Sequence, residues 1–246
     1  MKLIFLGTGD FLPDESGHNS AFIEFNNTNL FIDFPATNRK SLLDLGKDLN
    51  NVNNVFITHL HEDHINGLQQ LAHYNTIINK KVNLYIAEKL LDGLWSSLKE
   101  GLRYSYNGDK VLEDYFNVIV IKENIAFEIA GQEFFAIPTN HMPEMITYGV
   151  LAQPFFYYSG DSNVDNDFLE VIKDQVQMIF HDCHLWDLEI KSHASLEDIK
   201  KLKDDIKKKI VLMHYHSGYD PDALKNTFEK RENILLARKL KEYNFS

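Results

Sequence analysis

The amino-acid sequence predicts an α/β fold, and three observations carry the prediction. Short apolar runs bounded by turn residues alternate with stretches whose apolar residues recur at helical spacing, in the order strands, helices, strands, helices. A histidine or aspartate follows one apolar run after another, at His59, His141, Asp161 and His214. Polar groups collected at strand ends are how an α/β sandwich holds an open site on rigid supports. At 246 residues the chain is long enough for one large domain with a sizeable core and needs no second unit, so residues 1–246 are read as a single domain.

Taken in order, Leu3 to Leu6 reads as a buried strand entering the tight turn Gly7-Thr8-Gly9, and the run is too short for a signal-peptide core. Ala21 to Phe25 and Leu30 to Asp33 read as an antiparallel pair joined through Asn26-Asn27-Thr28-Asn29. Ser41 to Leu49 is helical by spacing, with Ser41 as N-cap, and Val55-Phe56-Ile57 is the next strand. From Asp63, the pattern Ile65, Leu68, Leu71, Ala72 predicts one continuous helix. Val82 to Ile86 is a strand, and Glu88 to Gly101 is a helix by the spacing of Leu90, Leu91, Leu94, Trp95 and Leu98. Arg103 to Asp114 reads as a surface loop carrying Tyr104 and Tyr106.

Tyr115 to Ile121, Ile125 to Ile129 and Glu133 to Ile137 alternate as strands, with Ala130-Gly131-Gln132 as a turn. Tyr148 to Ala152 and Phe155 to Tyr158 form a further pair, ending at Ser159-Gly160-Asp161-Ser162. A helix from Asp165 to Lys173 and the strand Val176 to Phe180 lead to His181-Asp182-Cys183-His184. Ser195-Leu196-Glu197-Asp198 is a capping box opening a helix whose apolar stripe is Ile199, Leu202 and Ile206. Ile210 to Met213 is a buried strand that delivers His214 and His216, and the tail with Leu224, Phe228, Ile234, Leu235 and Leu240 reads as helical.

A formal charge of -11 and a pI near 5.4 repel polyphosphate, which argues against long nucleic acid as a partner while leaving room for a small anion held by metal. Cys183 is the single cysteine, so no internal disulfide framework exists; a reducing, cytoplasmic setting is expected, with the thiol as a small core residue. No stretch approaches the length of a membrane span.

The chemistry concentrates in Thr58-His59-Leu60-His61-Glu62-Asp63-His64. Extended backbone after Ile57 sends His59 and His61 to the same side, where one ion can take both. Asp63 and His64, at the first turn of a following helix, point elsewhere and suit a second ion a few ångströms away. Imidazole and carboxylate are what zinc, manganese or iron accept. Two such ions lower the pKa of a water and stabilise charge on a phosphorane-like transition state, and Asp63 is placed to orient the nucleophile. His193, just before a helix, is the candidate general acid for a departing alkoxide, with Asp182 fixing its tautomer. His181 and His184 read as satisfied polar residues beside the site. His216, His18 and Asn19 are candidates for touching substrate at the pocket mouth, and His73 reads as a helix-surface residue.

With these residues the chain resembles the metallo-β-lactamase superfamily: His59-x-His61-x-Asp63-His64, a lone His141, Asp161 after a strand and His214 near the C-terminus, a set covering essentially the whole length. The resemblance implies an αββα sandwich of the metallo-β-lactamase type with two divalent ions, Zn2+ first and Mn2+ second. One ion would be held by His59, His61 and His141, the other by Asp63, His64 and His214, with Asp161 bridging. β-Lactamases proper use a cysteine at the third-motif position, and Cys183 falls elsewhere.

Leu6-Gly7-Thr8-Gly9, Tyr158-Ser159-Gly160-Asp161-Ser162, Phe180 to His184 and Ser192-His193-Ala194-Ser195 are similar to the tRNA 3′-processing endonucleases, where a paired acid and histidine protonate the leaving group. The Gly- and Pro-rich arm that clamps tRNA is missing, since Ala72 to Ile137 holds only Gly93, Gly101, Gly108 and Gly131 and no proline. Phe34-Pro35-Ala36-Thr37 also replaces their glycine-rich turn. The chain most resembles the compact cyclic-nucleotide phosphodiesterases of this superfamily, including the phage-encoded anti-Pycsar enzymes that destroy cyclic mononucleotide signals. The resemblance implies a metal-dependent phosphodiesterase acting on 3′,5′-cyclic nucleotides, in the host cytoplasm if phage-encoded. The alternatives are a tRNA 3′ endonuclease, a lactonase or thiolesterase, and a silent metal-binding or ligand-sequestering module. A homodimer is expected, with the helix Glu88 to Gly101 and the tyrosine-bearing loop near the partner's pocket.

Overall fold

The computed structural model describes residues 1–12, 14–216 and 230–246. Its strands are β1 (Lys2–Gly7), β2 (Ser20–Phe25), β3 (Thr28–Ile32), β4 (Asn54–Phe56), β5 (Val82–Ala87), β6 (Phe116–Ile121), β7 (Ala126–Ile129), β8 (Gln132–Thr139), β9 (Thr147–Ala152), β10 (Phe156–Tyr158), β11 (Met178–Asp182), β12 (Ile210–Met213), β13 (Leu235–Leu236) and β14 (Glu242–Asn244). Its α-helices among the described residues are α1 (Asn38–Asp44), α2 (Glu62–Ile65), α3 (Leu68–Ile77), α4 (Leu91–Leu102), α5 (Leu112–Tyr115), α6 (Asn166–Ile172), α7 (Leu196–Lys200), α8 (Asp204–Lys207) and α9 (Lys230–Glu232).

The strands form two seven-stranded sheets, ordered β14-β1-β2-β3-β4-β5-β6 and β13-β12-β11-β10-β9-β8-β7. Each is antiparallel on one side and parallel on the other, with β3 to β6 and β10 to β13 running parallel. Aromatic pairs cross the space between the sheets: Phe5 meets Phe180 at 5.3 Å, Phe25 meets Phe134 at 5.4 Å and Phe56 stacks on Phe127 at 5.9 Å between ring centroids. Such pairs combine large area burial with favourable ring geometry. On the outer face of the first sheet, α1, α3 and α4 contribute Leu42, Leu71, Leu94 and Leu98 to the same core. On the outer face of the second, α6, α7 and α8 bury Leu169, Ile172, Ile199 and Ile206 against Ile179 and Leu212. The architecture is therefore the expected αββα sandwich.

Several boundaries differ from the sequence reading. The first hairpin turns on Asn26 and Asn27 alone, both at positive φ, with Phe25 paired to Thr28, so Thr28 and Asn29 already belong to β3. Ser41 is not an N-cap; it lies inside α1, where its hydroxyl donates to the Leu6 carbonyl at 2.6 Å, and Thr37 stands at the cap. The predicted helix from Asp63 is two helices, because the Phe34-Pro35-Ala36 segment docks on the junction. Phe34 N–H donates to the His64 carbonyl, Gly67 N–H donates to the Phe34 carbonyl and the Asn66 amide oxygen accepts from Ala36. The loop after α4 contains α5, and the stripe Ile199, Leu202, Ile206 is divided between α7 and α8. In the tail, Leu224 and Phe228 lie outside the described residues; Leu235 is in β13 and Leu240 sits at positive φ in a turn before β14, not in a helix. No described helix is long and apolar enough to cross a membrane.

Candidate metal centre

β4 ends at Phe56, and the chain then runs in open extended form before α2 begins at Glu62. Thr58 anchors this segment: its N–H and hydroxyl both donate to the Asp33 carboxylate, at 2.8 and 2.7 Å, and its carbonyl accepts from Tyr148 N–H of the opposite sheet. The ring centroids of His59 and His61 come within 4.8 Å, and these two with His141 and Asp161 form a group whose donor atoms all lie within 4.8 Å of one another. Asp63 and His64, on the first turn of α2, form a second group with His214. Asp161 Oδ2 stands between the groups, 3.6 Å from His59 Nε2, 3.4 Å from His64 Nε2 and 3.3 Å from His214 Nε2. The structure thus brings all seven residues together, and Asp161 and His214 form a third such group with His193.

Divalent ions fit this donor set on a structural test. Nε2 of His59, His64 and His214 and Oδ1 of Asp161 are buried without a hydrogen-bond partner. Buried polar atoms without partners are costly, and the three imidazole nitrogens, each within 3.6 Å of Asp161 Oδ2, are what an ion would satisfy. The opposite ring nitrogens are fixed from behind. His59 Nδ1 lies 3.0 Å from the Thr58 hydroxyl, His64 Nδ1 lies 2.7 Å from Asp33 Oδ2, and His141 Nδ1 lies 2.7 Å from the Ser192 carbonyl. Because the Thr58 hydroxyl donates to Asp33, it accepts from His59, so one buried carboxylate orients a histidine in each group. His61 instead turns Nδ1 inward, 3.3 Å from His141 Nε2.

The electrostatics agree. Burial alone would raise the Asp63 and Asp161 carboxyls, yet the surrounding imidazoles overcome it and hold both well below the usual carboxylate range. Burial likewise opposes charge on His214, but Asp161 and Asp63 push it up to about 9. His59 goes the other way, lowered by burial and by His64. The carboxylates call for positive charge among the imidazoles, which divalent ions supply through the same nitrogens.

Two backbone features aim these side chains. Gly160 sits at φ 61°, where a Cβ would lie 2.6 Å from the Tyr148 carbonyl, and it turns the chain so that Asp161 faces the centre. His214 itself adopts φ 59° at the end of β12. Because of that turn His216 does not follow His214 to the same side, as an extended strand would have required. Its ring stacks on Trp186 with centroids 3.6 Å apart.

His193 lies at the edge of the centre, its ring 4.6 Å from His141 and 5.0 Å from His214. Its Nδ1 is 2.7 Å from Asp182 Oδ2, the oxygen that also accepts from Ser162 N–H at 2.9 Å. Burial opposes the imidazolium, and Asp182 outweighs it, so the His193 pKa is raised. β11 runs two residues further than the sequence indicated, which puts His181 and Asp182 on the strand itself. His181 is buried with Nδ1 2.7 Å from its neighbour's carbonyl, and His184 is buried beside Ser195. Cys183 is buried in the outer core, as expected of a small apolar residue. His73 is exposed and reaches the Gly101 carbonyl. His18 and Asn19 lie just after the N-terminal turn. Both are buried, and the Asn19 amide donates to the Tyr158 hydroxyl at 2.8 Å.

Asp33, Thr58 and Ser192 were not singled out from sequence. Asp33 had a signal, since it ends an apolar strand as Asp161 nearly does; a carbonyl such as that of Ser192 has none.

Residues 1–242 match the family described as anti-Pycsar protein Apyc1. The chain is 34% identical over 238 residues to the anti-Pycsar protein Apyc1 of Bacillus phage vB_BsuM-Goe3, covering 87% of this chain and 88% of that protein. It is 34% identical over 224 residues to the protein of that name from Paenibacillus harenae, covering 89% and 92%. Among solved structures it is similar to the metallo-β-lactamase fold protein YhfI from Bacillus subtilis, with a TM-score of 0.77, 13% identity and 98% of each chain covered. That last likeness concerns the fold.

Proposed function

The chain belongs to the anti-Pycsar protein Apyc1 family, and from that premise we propose that it is a dinuclear-metal phosphodiesterase that opens 3′,5′-cyclic nucleotides. The observation that carries the reading is the Asp182–His193 pair, with Nδ1 held at 2.7 Å, standing beside a complete double donor set. His59, His61 and His141 would hold one ion, Asp63, His64 and His214 the other, and Asp161 both; zinc suits these ligands, and manganese is the alternative. Bound there, divalent ions supply an activated water and stabilise charge developing on the phosphoryl oxygens.

The chain's own residues do the rest. Asp63 accepts a hydrogen bond from the nucleophile and aims it. Asp182 holds the Nδ1 proton of His193, so Nε2 is the nitrogen that gives a proton to the departing ribose oxygen. That oxygen is a poor leaving group without help, which is why the pair matters for a cyclic nucleotide and less for an acyl substrate. We read residues 1–246 as one hydrolase domain working as a cytoplasmic homodimer, within a host cell where the gene is a phage's.

The test is a panel of 3′,5′-cyclic mononucleotides, cyclic dinucleotides, a precursor tRNA and bis-p-nitrophenyl phosphate, each with zinc and with manganese. Turnover of the cyclic mononucleotides is expected. Trimming of precursor tRNA without cyclic-nucleotide turnover would make the protein an endoribonuclease, and metal binding without turnover of any of them would make it a sequestering module.

A further inference from the structure

The segment between His184 and Ser195 leaves and rejoins the fold at one place. His184 pairs with Ser195, His184 N–H donates to the Ala194 carbonyl, and Ala194 N–H donates to the Ser162 carbonyl, one residue from Asp161. The loop therefore rises from the edge of the metal centre. It walls a cleft of about 1050 Å³ whose lining includes both His193 and Trp186. Trp186 remains 41% exposed although one face of its indole lies on the His216 ring at 3.6 Å. Two residues of chain reach at most about 7 Å, so the His216 backbone is within a nucleotide's length of the metal-facing His214.

The cations of the cleft already have carboxylate partners. Lys191 pairs with Glu189 at 3.8 Å, Lys200 with Glu197 at 2.9 Å, Lys201 with Asp198 at 2.9 Å and Arg231 with Glu232 at 2.6 Å. A cleft with compensated cations and a backed indole face suits a flat, uncharged ring better than a second phosphate. We propose that Trp186, braced by His216, is the stacking platform for the nucleobase of a substrate whose phosphate occupies the metal centre. This rests on the phosphodiesterase reading above and adds to it the residue that recognises the base. Stacking is tolerant of base identity because every base presents a π face, so the platform selects a base-bearing mononucleotide without choosing strongly among bases.

Two measurements test this. In the first, steady-state kinetics compare adenosine 3′,5′-cyclic monophosphate with ribose 3′,5′-cyclic phosphate, which lacks the base. The wild-type protein should favour the base-bearing ester in KM by roughly 5- to 100-fold, the usual range for one stacked base. Trp186→Ala should abolish that preference with kcat for the nucleotide far less affected, and Trp186→Phe should keep most of it. A preference that survives Trp186→Ala overturns the proposal. In the second, tryptophan fluorescence is followed as adenosine 3′,5′-cyclic phosphorothioate, a slowly hydrolysed analogue, is added to the zinc-loaded protein. Wild type should be quenched and Trp186→Phe, which retains Trp95, should not. Turnover without quenching sinks the platform alone; quenching without turnover on any cyclic nucleotide sinks the phosphodiesterase reading and keeps the aromatic site.

Discussion

Asp182 and Asp33 do related work from opposite sheets, and their geometry separates two kinds of loss. Asp182 reaches His193 directly, so what depends on it is the tautomer of that imidazole. If His193 gives its proton to a ribose alkoxide, His193→Ala should lower kcat on a cyclic nucleotide by roughly two to four orders of magnitude with metal content intact. On bis-p-nitrophenyl phosphate, whose leaving group departs unprotonated, the loss should be far smaller. Equal losses on the two esters would make His193 a positioning residue. Asp33 acts instead on the ligands: it holds His64 directly and His59 through Thr58. Asp33→Asn should therefore weaken binding of both ions by roughly 10- to 100-fold, read by competition with a chelating dye. Asp161→Ala, which removes the carboxylate between the groups, should leave neither ion bound after dialysis. Loss of only one ion from Asp33→Asn would mean that the Thr58 relay does not orient His59. The candidate ligands were legible in sequence because metal ions restrict residue type and spacing. Asp33 was not, because a carboxylate beneath a histidine looks like any strand-end acid until the two strands are paired.

At the scale of elements, periodicity located nearly every strand and helix and misplaced their ends for one recurring reason: tertiary contacts cut or extended what local spacing allowed. The apolar pattern Ile65, Leu68, Leu71 runs unbroken through the junction of α2 and α3, where the fold nonetheless inserts the carbonyls of Phe34 and Pro35. Gly67 makes room for them, since a Cβ there would lie 2.6 Å from the Phe34 carbonyl oxygen and 2.7 Å from the Pro35 carbonyl. A helix-favouring replacement should accordingly be harmful. Gly67 stands at the N-cap of α3, where alanine is disfavoured relative to glycine, and Gly67→Ala must also displace backbone, at a cost of roughly 1–3 kcal/mol for overpacking. The expected net is a fall in Tm of a few degrees, about 2–4 °C per kcal/mol for a chain of this size. An unchanged or raised Tm in a calorimetric scan of the metal-free protein would show that the 34–36 segment yields easily. Ser41 carries the same lesson: its side chain serves the Leu6 carbonyl across the fold, a use that no reading of its neighbours could reveal.

The whole molecule bears a formal charge of -11, which sets its behaviour towards partners and towards copies of itself. Polyphosphate is repelled, in keeping with a small substrate drawn in by metal. Self-association must overcome the same repulsion, and the surface expected to do so has changed on folding. Leu94, Leu98 and Leu102 of α4, counted from sequence towards a partner contact, are buried within the chain. What remains outside is aromatic: Trp95 is half-buried at the core's edge, while Tyr104 is largely and Tyr106 fully exposed after the helix. Tyrosine is enriched at interfaces, and two such side chains on one short loop are what a dimer of this chain would bury. Charge repulsion between like subunits is screened by salt, with a Debye length of about 30 Å at 0.01 M falling to about 8 Å at 0.15 M. Light scattering should therefore report twice the 28.6 kDa chain mass at micromolar concentration, and the dimer should dissociate more readily at low ionic strength than at physiological salt. Replacing Tyr104 and Tyr106 together by alanine should shift the protein towards monomer at both salt concentrations while Tm of the isolated chain stays nearly constant, because side chains so exposed contribute little to the fold. A monomer mass for the unaltered protein at either salt concentration counts against the assembly, and a stable dimer of the double variant would move the interface away from this loop.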